Sequence, residues 1–247
     1  MRVYALNYQQ LIRQAIQEGF ANAELSQLAT AYDLGRRMTD GLYRKQNVPF
    51  ICHLVRTGSI VMRETRDPIS VVVGMLHAVF FLHVFQGSTR RGPRASDREL
   101  IRIRLGADVE ELIHEYSQFS WNASVAAYWA DSSRVPDETT RRILILRLCD
   151  ELEDHLDGAE AFVSGGAFRA GDPSYGSEYI ALTHALGLAK LADDFKEALE
   201  INQELNLPAD IVSEHTSSFE CRDRLMGANW IERVGSRLRR FRMKHAR

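Results

Sequence analysis

Apolar residues recur along this chain at spacings of three and four, and no run alternates in the manner of a strand. Leu11, Ile12, Ala15 and Ile16 form one stripe and predict a helix over 7–18, with Gly19 as its stop. Leu25, Leu28, Ala29 and Tyr32 predict a second helix from about Ala23 towards Met38. Ile51, Leu54, Val55, Gly58 and Met62 line one face of a third. Ile69, Val72, Val73, Leu76, Val79 and Phe80 line one face of a fourth, for which Asp67-Pro68 supplies a cap and a first-turn proline.

Further on, Ser96 and Glu99 read as a capping box that opens a helix stopping near Gly106. Asp108 and Glu111 repeat the device ahead of the stripe Val109, Leu112, Ile113 and Tyr116. Another helix is expected over Trp121 to Ala130. From Asp137 a long one carries Ile143, Leu144, Leu148, Cys149, Leu152 and Leu156 to a stop at Gly158. The GGAFRAGDPSYGS stretch within 164–177 is irregular, and helices follow near 178–204 and 218–243. Val71-Val72-Val73 is the best strand candidate, but its flanks are helical. The fold class is all-α, with residues 1–160 as the main helical domain and 161–247 as a helical extension packed on it.

Composition changes this picture little. With 247 residues, 45% hydrophobic and 26% charged, the chain has the make-up of a soluble globular protein. A net charge of −2 provides no global field towards nucleic acid. No apolar run approaches a membrane span and no signal pattern opens the chain, so a cytoplasmic location with no membrane partner is expected. The three cysteines, Cys52, Cys149 and Cys221, are odd in number and lack C-x-x-C spacing, which argues against a disulfide framework or a zinc ribbon.

The candidate chemistry lies on the third and fourth helices. His53 and His77 sit on or beside their buried faces, where a metal ion fits between them. The bland alternative leaves both as hydrogen-bonded core histidines. The surrounding residues carry a family resemblance. AYDLGRRMTDGLYRKQNVPFICHL (31–54) and MLHAVFFL (75–82) resemble, without a gap, the two motifs around the metal site in the HD-type hydrolase domain of RelA/SpoT alarmone enzymes. Arg44, Lys45, Pro49, Phe50, His53, Leu76 and His77 fall on motif positions. Downstream, Leu146 to Leu152 (LRLCDEL) resembles the helix that gives the family its last metal ligand, and Asp150 takes that place. The resemblance covers roughly residues 25–157.

The resemblance implies that His53, His77 and Asp150 hold one divalent transition metal (manganese, iron or zinc), with no organic cofactor. It places Arg44 and Lys45 at the pocket mouth, where a guanidinium can stack on a base or pair with phosphate. It also makes Asp154 a candidate ligand-binding residue, since the family has a nucleotide-contacting asparagine there. A carboxylate at that position repels phosphate. Ala78, Phe81 and Leu82 depart from the pattern, because the family has acidic residues at all three. The leading expectation is therefore a degenerate site that binds a nucleotide or another phosphorylated small molecule without efficient alarmone hydrolysis. The rivals are a metal-dependent enzyme using His53, His77 and Asp150 on another phosphoester or small metabolite, and a helical interaction protein.

Two charged faces are expected to be ordinary. Glu151, Glu153, Asp154 and Asp157 read as a solvated surface of the long helix. The tail 231–247 reads as a docked helix with a basic outer face.

Overall fold

The computed structural model describes residues 3–44, 48–81, 93–162, 175–205, 207–212 and 219–221. Over these residues the fold is all-α. Its first helices are α1 (Tyr8–Gln17) and α2 (Asn22–Met38), followed by the three-residue strand β1 (Leu42–Arg44). Then come α3 (Phe50–Thr65), α4 (Pro68–Leu76), a 3-10 turn at Val79–Phe81, α5 (Ala95–Leu105), α6 (Ala107–Gln118) and α7 (Ala123–Ala130). The long α8 (Glu138–His155) runs into a 3-10 segment at Leu156–Phe162, and α9 (Ser177–Ala185), α10 (Ala189–Glu204), a 3-10 turn at Ala209–Ile211 and β2 (Phe219–Cys221) complete it.

α4 lies at the centre. Every residue from Ser70 to Leu76 is buried, and the helix packs against α2, α3, α6 and α8. Its approach to α3 depends on two glycines. A Cβ at Gly58 would lie 2.5 Å from Met75 Cγ, and one at Gly74 would lie 2.9 Å from Val61 Cγ2 and 3.4 Å from Gly58 Cα. Any side chain at either position overpacks the crossing. Asp67 caps α4 as its sequence predicts, accepting from the Ile69 and Ser70 N–H groups at 3.3 and 3.0 Å. Arg142 on α8 donates to the same carboxylate at 2.5 Å, so the cap also ties α4 to α8.

α8 packs against α3, α4, α6 and α10, which explains why its apolar residues spread beyond one stripe. α9 packs on α7 and α10, and α10 on the end of α8. Ahead of α1, the Ala5 N–H donates to Ser59 Oγ (2.8 Å) and the Tyr4 hydroxyl donates to the Asp194 carboxylate, tying the start of the described chain to α3 and α10.

Several boundaries differ from the sequence expectation. α5 begins at Ala95, and the Ser96 hydroxyl faces Asp97 instead of capping the helix. Gly106, at φ 101°, joins α5 to α6 directly, so Asp108 lies inside the first turn of α6. Asn122 is the cap of α7, accepting from the Val125 N–H at 2.9 Å. The stretch 178–204 is two helices, broken where Gly187 takes φ 76°. The helix expected from 218 does not begin there. Phe219–Cys221 is extended and pairs antiparallel with β1, Leu42 opposite Cys221 and Arg44 opposite Phe219. Strands of three residues are too short to show alternation, so no periodicity announced them. The remainder of the tail, including its basic face, lies outside the described residues, as does most of the GGAFRAGDPSYGS stretch.

Candidate metal centre

Three helices deliver one side chain each to a common point. α3 brings His53, the residue after α4 is His77, and α8 brings Asp150; both histidines are buried. His53 Nε2 lies 3.2 Å from His77 Nε2, and Asp150 Oδ1 lies 3.4 and 3.2 Å from the two nitrogens. Ligand atoms held about 2.0–2.2 Å from one ion in tetrahedral or octahedral geometry lie about 2.8–3.6 Å apart, so the observed triangle fits a single divalent ion. The three residues can hold such an ion between them and supply three of its ligands.

Each of the three is oriented from behind. His77 Nδ1 lies 2.7 Å from the Gly74 carbonyl, which can only accept, so Nδ1 carries the proton and Nε2 presents its lone pair. His53 Nδ1 donates to the Glu153 carboxylate, which leaves its own Nε2 bare. Asp150 Oδ2 accepts from the Tyr116 hydroxyl at 2.8 Å, leaving Oδ1 for the cluster. Tyr116 is held in turn by Arg147, whose guanidinium lies 3.7 Å from the ring centroid and donates to the Tyr116 and Phe119 carbonyls at 2.8 and 2.9 Å. Partners of this kind fix tautomer and ring direction at metal sites.

The protonation states suit ligation. Burial pushes the His53 imidazole below its ordinary value, Arg44 adds to this, and Glu153 and Asp150 oppose it without prevailing, so the ring is neutral at pH 7. Burial would raise the Asp150 carboxyl, but His77 and His53, whenever either ring carries a proton towards Oδ1, and Arg147 beside it hold the group well below the carboxylate range in the metal-free site. Glu153 behaves alike: burial is overcome by His53, Arg44 and Arg56, and the carboxyl is held at about 2. The Tyr116 hydroxyl is pushed far up by burial and then by Asp150, so it remains a donor.

A cavity of about 280 Å³ adjoins the triad, with Val48, Leu156 and Phe162 among its apolar lining. Its charged lining is Arg44, Arg56, Glu153, Asp154 and Asp157. Arg44 and Glu153 belong to both places, since Arg44 Nη1 lies 3.5 Å from His53 Nε2 and Glu153 contacts His53 Nδ1. Arg44 donates to Asp154, so two residues expected to meet a ligand separately meet each other. Arg56 lies 2.7 Å from Asp157 and 3.9 Å from Glu153. Ala78 is buried directly after His77, and Phe81 packs against the core. Lys45 and Leu82 lie outside the described residues.

The expectation of a solvated acidic face on α8 is corrected at Glu153, which is buried and turned inward to His53. Its position three residues after Asp150 places it on the same helical face, a signal present in the sequence. Tyr116 had no such signal, because it read as part of a core stripe, and Arg147 entered only as a residue of the LRLCDEL motif. No protein-family profile matches this chain, and no curated protein sequence matches it. The geometry of the site carries the functional reading.

Proposed function

We propose that the protein is a metal-dependent enzyme of HD type, in which His53, His77 and Asp150 hold one divalent transition ion beside a pocket for a small metabolite. One observation supports this above all. The rear partners force both Nε2 lone pairs and Asp150 Oδ1 towards one another across 3.2–3.4 Å. Such a group of electron-rich atoms is stabilised by a cation among them, and the Arg44 guanidinium at 3.5 Å from His53 Nε2 offsets only part of the repulsion. An ion held by His53, His77 and Asp150 would supply Lewis-acid polarisation to a substrate that reached it. Arg44 and Asp154, which line the cavity, orient that substrate beside the apolar Leu156 and Phe162.

Calorimetric titration of metal-free protein with manganese and zinc tests the reading. The expected result is one ion per chain, with binding lost or weakened at least 100-fold in His53→Ala, His77→Ala and Asp150→Asn. Binding that survives all three substitutions removes the proposal.

A second reading is favoured by a separate observation. Ala78 and Phe81 are apolar where the resemblance calls for acids, which suits binding of a nucleotide or phosphorylated small molecule without alarmone hydrolysis. The pairing of Arg44 with Asp154 and Arg56 with Asp157 weighs against it, because a phosphate must first displace a carboxylate. Turnover of guanosine tetraphosphate with manganese at roughly 1 per second or faster is incompatible with this second reading.

A further inference from the structure

His53 is the one member of the triad whose direction depends on another side chain's charge. His77 is fixed by a backbone carbonyl of its own helix, and Asp150 by a neutral hydroxyl. Behind His53 stands Glu153, buried and one helical turn beyond Asp150 on the same face of α8. One helix therefore supplies both a ligand and the group that aims a second ligand carried by α3. Arg44 supports the same assignment from the opposite edge of the ring. Its Nη1, 3.5 Å from His53 Nε2, can donate only to a bare nitrogen, which requires the proton on Nδ1.

We propose that Glu153 is the positioning residue of the site: its carboxylate accepts the His53 Nδ1–H, locks that tautomer, and turns the Nε2 lone pair to His77 Nε2 and Asp150 Oδ1. The donor set otherwise carries one negative charge, from Asp150, with two neutral imidazoles. Glu153 adds a second negative charge immediately behind His53 and makes that ring a more basic ligand. Arg56, 3.9 Å from Glu153 and 2.7 Å from Asp157, holds the carboxylate from its far side. The pocket gains a consequence from this arrangement. Glu153 lines it, so a ligand that engages Glu153 alters the orientation of His53.

This inference rests on the metal-centre reading, and its test separates the two. In the full-length, metal-free protein at pH 7, nitrogen-15 spectra of the histidine rings should show His53 protonated at Nδ1 and bare at Nε2. Glu153→Ala should convert His53 to the Nε2–H form or to a rapidly exchanging mixture, and should weaken manganese binding 10- to 100-fold. Glu153→Gln keeps an amide oxygen as acceptor and the shape of the side chain. It should retain the tautomer while losing part of the affinity, and it serves as the folded control if the alanine variant does not fold. A role confined to packing moves neither the tautomer nor the affinity in Glu153→Gln. A wild-type His53 carrying its proton on Nε2, or a tautomer unchanged in Glu153→Ala with manganese affinity intact, overturns the proposal. If the wild type binds no manganese, the metal-centre reading fails, while the ring spectra still decide the role of Glu153.

Discussion

Tyr116 shows how a single residue can belong to the core and to the site together. Its ring is fully buried and its hydroxyl meets Asp150 Oδ2 at 2.8 Å. Removing that hydroxyl leaves the packing intact and frees the carboxylate to rotate. Tyr116→Phe should therefore lower metal affinity by about 10-fold or more. The loss of a hydrogen bond to a charged group should cost about 1.5–3 kcal/mol of stability in denaturant unfolding. Unchanged affinity would show that Asp150 is oriented by something else. At this scale the sequence was legible where a residue type is rare in its setting, as for two histidines on apolar faces. It was not legible for Tyr116 or Glu153. An aromatic in a helical stripe looks like core, and an acid in a run of acids looks like surface; only the approach of α3 and α6 to α8 separates them.

Among the elements, α4 connects stability to the site most directly, because its cap at Asp67 and His77 at its end lie on one short rod. The Asp67 carboxyl is raised by burial but lowered further by the Ser70 hydroxyl, Arg142 and the Ser70 N–H, for a net lowering. A group whose folded value is lowered favours folding above its unfolded value of about 3.9, and the contribution fades as pH falls below that towards the folded value. Asp67→Asn retains a capping acceptor and loses the charge. At pH 7 it should be less stable than the wild type by about 0.5–1 kcal/mol, a modest figure because the pair is partly solvated. In urea unfolding the gap should narrow as pH falls below about 4. A gap independent of pH would assign the effect to cap geometry alone. The Asp67-Pro68 signal made this boundary legible. Those at Ser96 and Asp108 misled, because a capping pattern needs a break in the chain before it, and Gly106 supplied that break two residues before Asp108.

Over the whole molecule, no local rule could state that residues 53, 77 and 150 meet. The helical periods placed each on its own helix; the meeting depends on the glycine crossing of α3 with α4 and on the seat of α8 against both. Short strands and side-chain partners from distant helices are products of that assembly, which is why they escaped a reading made along the chain. None of the described helices is long and apolar enough to cross a membrane, and the apolar faces are spent on one another. The proposed metal centre requires one cation at the point where these three helices meet. Anomalous diffraction from crystals equilibrated with manganese measures it directly. The expected map holds one peak per chain, about 2.0–2.3 Å from His53 Nε2, His77 Nε2 and Asp150 Oδ1 together. A map without a peak there, or with manganese instead at Glu153 and Asp154, contradicts the claim.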